Sequence, residues 1–153
     1  MPRWAIVTDL DGTLLDHTTY DWAPAAPTLA RLRAAGVPVV PASSKTAAEL
    51  VPLRAALGLS DMPALCENGG GIVPPGAGAT PDRAEHARLL ATLAALPEQL
   101  RAPFRGFSEM SVAEVAALTG LSAREAARAR DRAFTEPGVW SGAKAARAAF
   151  TRA

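Results

Sequence analysis

One short stretch near the start restricts this chain more than any other. The apolar run Trp4-Ala5-Ile6-Val7 is followed at once by Thr8-Asp9-Leu10-Asp11-Gly12-Thr13-Leu14-Leu15-Asp16. The apolar run reads as a short buried strand over residues 4–8. Asp9 and Asp11 then stand just past the carboxyl end of that strand, where open α/β sheets place their ligands. Side chains alternate along an extended backbone, so the two acids share one side. Gly12 lets the backbone turn tightly and approach a ligand closely. Paired acids of this kind suit a hard cation and a phosphoryl group. They offer oxygen ligands to the ion and a carboxylate free to attack phosphorus. A turn closed by an Asx hydrogen bond also uses acids at a strand end, but it needs none before Leu10.

The rest of the chain continues the alternation. Residues 24–35 carry Leu29 and Leu32 at helical spacing and stop at Gly36. Val37-Pro38-Val39-Val40-Pro41 reads as a second strand, whose prolines imply an incomplete ladder or an edge position. A helix is expected from about Thr46 to Leu57, kinked or delayed by Pro52. Ala64-Leu65-Cys66 is a third strand, Glu67–Gly71 a turn, and Ile72-Val73 resumes the extended run. Strand, helix, strand, helix, strand is the pattern of a parallel sheet with right-handed crossovers. The proline- and glycine-rich segment 74–81 reads as a domain joint. Beyond it come a helix over about 84–95, an extended piece at 104–107 and a strand near Val139-Trp140. Two further helices are opened by the capping boxes Ser111/Glu114 and Ser122/Glu125, the second running to about Arg132. The tail from Gly142 is Ala-rich and helical.

The 153 residues suffice for one sizeable core or a core with a small appended module. A formal net charge of +1 argues against a nucleic-acid binder that relies on a broad basic face. Residues 1–81 hold 5 Lys/Arg against 7 Asp/Glu, whereas residues 82–153 hold 11 against 8. An acidic half that holds a cation and a basic half that attracts an anion would suit a phosphate ester, although arginines on the wet faces of helices explain the same split. The single cysteine, Cys66, rules out a disulfide framework and reads as a buried strand residue. The chain goes straight into its first strand with no signal segment, and no apolar run is long enough to span a bilayer. A cytoplasmic location without membrane or nucleic-acid partners is the expectation. His17 and His86 have no partners at metal spacing and read as surface residues.

The run Asp9-Leu10-Asp11-Gly12-Thr13-Leu14-Leu15 resembles motif I of the haloacid dehalogenase (HAD) superfamily of phosphohydrolases. Ser43 falls where that superfamily has the Ser or Thr of motif II. Val39-Val40-Pro41-Ala42-Ser43-Ser44-Lys45-Thr46 and Glu67-Asn68-Gly69-Gly70-Gly71 narrow the resemblance. So do Gly106-Phe107-Ser108-Glu109-Met110-Ser111-Val112, Leu118-Thr119-Gly120-Leu121-Ser122 and Arg132-Ala133-Phe134-Thr135-Glu136-Pro137. Together they are similar to the mannosyl-3-phosphoglycerate phosphatase family, over residue 4 to about 142. The resemblance implies an α/β fold: a HAD-like Rossmannoid parallel-sheet core, its N-terminal part in residues 1–75, with an incomplete α+β cap in residues 82–153.

It also implies roles. Asp9 would be the nucleophile that forms an aspartyl-phosphate. Asp11 would be the general acid and then the base. Asp9 and Asp11 would hold Mg²⁺, Asp11 through its backbone carbonyl. Ser43 would donate to a phosphoryl oxygen near the start of the following helix, whose dipole favours an anion. Capping that helix is the other use of a serine there. Lys45 would neutralise phosphate charge or lie solvated. Asn68 and Gly69 would orient the substrate, or serve only the positive φ of their turn. By the chemistry of their own side chains, Arg132, with Arg105 and Glu136, would reach a sugar or carboxylate, or the arginines would lie solvated as most on helices do.

The resemblance covers only part of the family's pattern. Its later lysine and acidic pair have no counterpart here, and neither do the strands that would flank residues 4–8 on their other side. The expectation is a Mg²⁺-dependent phosphatase of mannosyl- or glucosyl-3-phosphoglycerate. The alternatives are a weak or inactive fragment that at most binds phosphorylated ligands, or a HAD sugar phosphatase of other specificity. Residues 4–8 would form an open apolar edge prone to self-association.

Overall fold

Residues 4–76 and 81–152 are described by the computed structural model, and the chain divides into two units between Pro81 and Asp82. Much of the expected joint at 74–81 lies outside the described residues.

In the first unit, strand β1 (Ile6–Thr8) pairs parallel with β2 (Val39–Pro41), Ile6 opposite Val39 and Thr8 opposite Pro41. Parallel neighbours need a crossover, supplied here by helix α1 (Ala26–Ala34) after a single 3-10 turn at Ala23–Ala25. Gly36, at φ +66°, ends α1: its N–H donates to the Arg33 carbonyl while the Val37 N–H donates to Leu32. These two bonds are a Schellman closure, which requires the left-handed residue that glycine supplies. Helix α2 (Ala47–Ala56) then leads to β3 (Ala64–Cys66), which meets the end of β2 through a parallel bridge, Ala42 to Leu65. A tight turn reverses the chain into β4 (Gly71–Val73), antiparallel to β3. The core beneath holds Leu10, Leu15, Leu29, Val39, Leu50, Leu57, Ala64, Cys66 and Val73.

The prolines fit this register. The Ile6 N–H donates to the Pro38 carbonyl and the Ala42 N–H to the Thr8 carbonyl. In a parallel ladder every second residue bonds to one neighbour, so the N–H that Pro41 lacks is not asked for by β1. Pro52 lies inside α2, which continues past it to Ala56. Arg54, on the next turn, is fully buried. Its guanidinium donates to the carbonyls of Met62, Val73, Pro74 and Gly76, and so ties α2 to the strand that leaves the hairpin. Burial holds this guanidinium below the ordinary arginine value.

One expectation about β1 fails. The strand begins at Ile6 and is not buried: Trp4 is 75% exposed, Val7 61% and Ile6 37%. Among the described residues β1 has one strand neighbour, β2, so its other edge carries no ladder. Apolar composition encodes the capacity to be covered, whereas coverage depends on a neighbour being there.

The second unit runs α3 (Ala84–Ala94), α4 (Glu98–Arg101), β5 (Phe104–Gly106), α5 (Val112–Thr119), α6 (Ala123–Ala129), β6 (Gly138–Trp140) and α7 (Lys144–Phe150). Strands β5 and β6 pair antiparallel. The capping boxes expected at Ser111/Glu114 and Ser122/Glu125 are both formed. Helix α6 stops at Ala129, short of Arg132. Phe107, Met110, Val115 and Ala126 form the core, packed by Val112, Ala116, Leu121 and Val139. Phe150 of α7 lies 5.3 Å from the Phe104 ring and 5.2 Å from the Trp140 ring. The mixed α/β architecture expected from the sequence is present. No helix among the described residues is long and apolar enough to cross a membrane.

Candidate active site

At the carboxyl ends of β1 and β2 the backbone opens into a cleft of about 350 Å³, lined by Asp9, Ala42, Ser43, Ser44, Leu65, Asn68 and Gly69. Three loops build it, each for a local reason. Leu10 is wholly buried and anchors the first loop, so its neighbour Asp9 is driven outward to the exposed side. The Leu10 N–H donates to Oδ1 of Asp9 at 2.7 Å, which fixes the carboxylate and leaves its second oxygen to face a ligand. Gly12 then turns at φ +73°.

The second loop follows β2. Ser43 is buried, and its Oγ accepts the Lys45 N–H at 3.3 Å. An accepting hydroxyl keeps its own hydrogen to donate. Ser43 does not cap α2. Thr46 does: its hydroxyl accepts the Glu49 N–H, while the Glu49 carboxylate accepts the Thr46 N–H at 2.9 Å. The pattern Thr46-x-x-Glu49 is a capping box as legible as the two expected later in the chain. It removes the capping explanation for Ser43.

The third loop is the turn at Glu67–Gly69. Its backbone sits at φ +51° for Glu67, +60° for Asn68 and +89° for Gly69. Asparagine and glycine adopt such values readily; glutamate does so at a cost. The turn is stitched to the second loop, the Asn68 N–H donating to the Ser43 carbonyl and the Glu67 N–H to the Lys45 carbonyl, both at 2.9 Å.

Asp11 and Lys45 form a separate pair beside this cleft. The ammonium Nζ lies 2.9 Å from Oδ1 and 3.0 Å from Oδ2 of Asp11, with the side chains 34% exposed for Asp11 and 20% for Lys45. The Tyr20 ring covers the ammonium, its centroid 5.4 Å from Nζ. Asp9, Ser43, Asn68 and Gly69 are therefore brought to one cleft, while Asp11 turns to Lys45 outside its lining. Arg132 belongs to the second unit, where it is buried and donates to the Thr135 hydroxyl.

The second unit also corrects the reading of His86. Its Nε2 lies 2.7 Å from Oε2 of Glu136, and the side chain is only 12% exposed. Glu136, 2% exposed, accepts from the Ser108 N–H and Oγ as well. Arg105 is likewise engaged, with Glu114 at 2.7 Å. His17 is exposed, as expected.

Among the described residues no group of three or more His, Cys, Asp or Glu gathers to hold a metal. The donors that suit Mg²⁺ are the outward carboxylate of Asp9 and backbone carbonyl oxygen. These are hard ligands of the right kind, and Mg²⁺ completes such a shell with water and substrate phosphate. The Asp11 carboxylate is already matched by Lys45.

A family model for haloacid dehalogenase-like hydrolases matches residues 6–86, just over half of the chain. A haloacid dehalogenase-like hydrolase from B. subtilis shares the fold, with a TM-score of 0.52 at 16% identity, over 97% of this chain and 65% of that one. A hypothetical protein from Geobacillus kaustophilus HTA426 is 24% identical over 61% of this chain and 36% of that one, with a TM-score of 0.49. A haloacid dehalogenase-like hydrolase from Bacteroides thetaiotaomicron is 25% identical over 60% and 36%, with a TM-score of 0.43. The chain spans about a third to two thirds of the length of these solved proteins. The match to the family model, on the segment that builds the cleft, places this chain among the haloacid dehalogenase-like hydrolases.

Proposed function

We propose that the chain acts as a phosphohydrolase on a phosphorylated sugar–glycerate, mannosyl-3-phosphoglycerate or its glucosyl counterpart. The observation that carries this reading is the sharing of one cleft by Asp9 and Ser43. One presents a carboxylate oxygen able to attack phosphorus, the other a hydroxyl able to donate to a phosphoryl oxygen. The free oxygen of Asp9 bonds to phosphorus as the bond from phosphorus to the ester oxygen breaks. Asp11 gives the departing alcohol its proton when it carries one, and the form paired with the Lys45 ammonium is the ionised one, ready to take up a proton from water. In the second half-reaction water attacks the aspartyl-phosphate and gives its proton to Asp11. Inorganic phosphate leaves and Asp9 is regenerated. Asn68 and Gly69 shape the far wall. Mg²⁺, held by Asp9 and the Asp11 carbonyl, would offset the negative charge of the phosphoryl oxygens.

The choice of substrate rests on the second unit. Its segments 106–112, 118–122 and 132–137 carry the wording similar to the mannosyl-3-phosphoglycerate phosphatase family. A cytoplasmic location accompanies this substrate class. Phosphate release from mannosyl- and glucosyl-3-phosphoglycerate in Mg²⁺, beside an Asp9→Asn control, tests the reading. Turnover in the wild type and its loss in the variant support it; equal rates remove Asp9 from the chemistry. A panel of other sugar phosphates decides whether the specificity lies elsewhere in the family.

A second reading has its own observation. The donor set among the described residues holds no cluster of three acids or imidazoles, and metal-assisted positioning is much of phosphoryl-transfer catalysis. On this reading the cleft binds a phosphorylated ligand without turnover. Calorimetry that shows binding of the sugar–glycerate phosphate with no phosphate release would select it.

A further inference from the structure

We propose that Lys45 is a positioning residue for Asp11 and not a phosphate ligand, with Tyr20 as its backing; this rests on the phosphohydrolase reading above. Three observations converge on it. The Lys45 ammonium grips both oxygens of Asp11, at 2.9 and 3.0 Å. A symmetric grip fixes the plane of the carboxylate as well as its place, which a single hydrogen bond does not. Lys45 is also absent from the lining of the cleft that holds Asp9 and Ser43, although it is only two residues from Ser43.

The third observation is the Tyr20 ring, whose centroid lies 5.4 Å from the ammonium and which holds it by a cation–π contact. Tyr20 reaches that place by an unusual route. Its backbone sits at φ +56°, a conformation that bulky residues avoid. The loop that imposes it is closed by Asp16, whose carboxylate accepts from the N–H groups of Thr18 and Thr19 and from the Thr19 hydroxyl. The Asp16 carbonyl accepts the Tyr20 N–H at 3.0 Å, and its own N–H donates to the Asp21 carbonyl. Strain held in place by this many bonds is a feature of sites where a side chain must stand at one point. The lysine backbone is fixed as well: its N–H meets the Ser43 hydroxyl and its carbonyl accepts from Glu67. The ammonium is therefore held from both ends, and through it the carboxylate that handles the proton.

Proton delivery matters most when the departing alcohol is a poor leaving group. Loss of a positioned acid therefore costs an alkyl phosphate about 100-fold or more in the release of its alcohol and an aryl phosphate little, whereas hydrolysis of the aspartyl-phosphate is common to both esters. The experiment compares Lys45→Met with the wild type on mannosyl-3-phosphoglycerate and on p-nitrophenyl phosphate. The expected result, read in a single turnover as release of the alcohol, is a fall in rate of about 100-fold on the first, a change of about threefold or less on the second, and KM nearly constant on both. Asp11→Asn should show the same selectivity, Lys45→Arg should restore part of the lost rate, and Tyr20→Leu should give a weaker version of the same pattern. A large rise in KM on both substrates with kcat retained would show instead that Lys45 binds phosphate, and overturns the proposal.

A double-mutant cycle of thermal midpoints over Lys45→Met, Asp11→Asn and their combination reads the grip without any turnover. A coupling of about 2 °C or more is expected for a half-buried pair in a unit of this size; additive shifts overturn the proposal. Should the wild type release no phosphate from either ester, the phosphohydrolase reading fails by itself. The cycle still decides whether Lys45 holds Asp11.

Discussion

His86 Nε2 and Glu136 Oε2 lie 2.7 Å apart, joining two residues fifty positions apart in the chain. The same carboxylate accepts from Ser108 at 2.8 Å (N–H) and 2.7 Å (Oγ). One enclosed acid thus holds the start of α3, the segment after β5 and the segment before β6. Gly106 accommodates it, because a side chain there would stand where the carboxylate does.

Removal of that acid should therefore be costly. Glu136→Ala takes the partner from the largely buried His86 and leaves the exposed Ser108 N–H and hydroxyl to water, and is expected to destabilise the second unit by about 1–3 kcal/mol. Gly106→Ala, which keeps the acid but pushes its carboxylate off its place, should cost about 1–3 kcal/mol. Urea unfolding of the two variants measures both. Values within about 0.5 kcal/mol of wild type would show that the cluster is not a structural tie.

Acid should loosen the α5 region first. The Ser111 N–H, then the Arg105 guanidinium and the Ser111 hydroxyl, hold the Glu114 carboxyl down from 4.5 to about 2. Glu109 is held low in the same direction, chiefly by the Gly106 N–H. A carboxyl depressed in the folded state stabilises it above the unfolded value and loses that contribution as pH falls through the folded value. The thermal midpoint should thus be flat above pH 4.5 from this source and fall between about 4.5 and 2. Glu114→Gln should show a shallower fall over that window; an unchanged slope would contradict the assignment.

At the cleft, Ser43→Ala removes a hydroxyl but no capping bond, since Thr46 starts α2. A hydrogen bond to a charged oxygen is worth about 1.5–3 kcal/mol. Turnover should drop by about one to two orders of magnitude, with only a small fall in the midpoint from the lost 3.3 Å bond to the Lys45 N–H. Thr46→Ala should do the reverse, costing about 1 kcal/mol of stability through the lost cap. A Ser43 variant that loses stability and keeps activity would make that serine structural.

The uncovered edge of β1 should make the chain self-associate, with Trp4, Ile6 and Val7 at the contact. Charge on an edge opposes strand-to-strand pairing. Val7→Lys is expected to lower the fraction of large species in sedimentation, and a monomeric wild type at the same concentration would refute the idea.

Much of this fold was legible because its signals are local. Gly36 after a helical run, Ser111 before Glu114 and the acids beyond an apolar strand each announce themselves within a few residues. Thr46 before Glu49 carries the same local signal. What could not be read depends on contacts distant in the chain. The partner of His86 lies at residue 136, and no local periodicity connects them. Arg54 looks like any helical arginine until the carbonyls of Val73 to Gly76 close over it. The exposure of Val7 is set by which strands are neighbours, not by valine. At the site, sequence alternation placed Asp9 and Asp11 on one side. Strand β1 ends at Thr8, so alternation does not reach either acid, and Lys45 decides where the Asp11 carboxylate is held.

The two backbone bonds between Ser43–Lys45 and Glu67–Asn68 have a thermodynamic meaning for any ligand. Facing loops sewn together in this way cannot part independently, so the anion finds its walls already assembled and forfeits little loop entropy on arrival. Affinity for a small phosphate ester should accordingly be limited by the chemistry of the groups it meets and not by the ordering of the backbone around it.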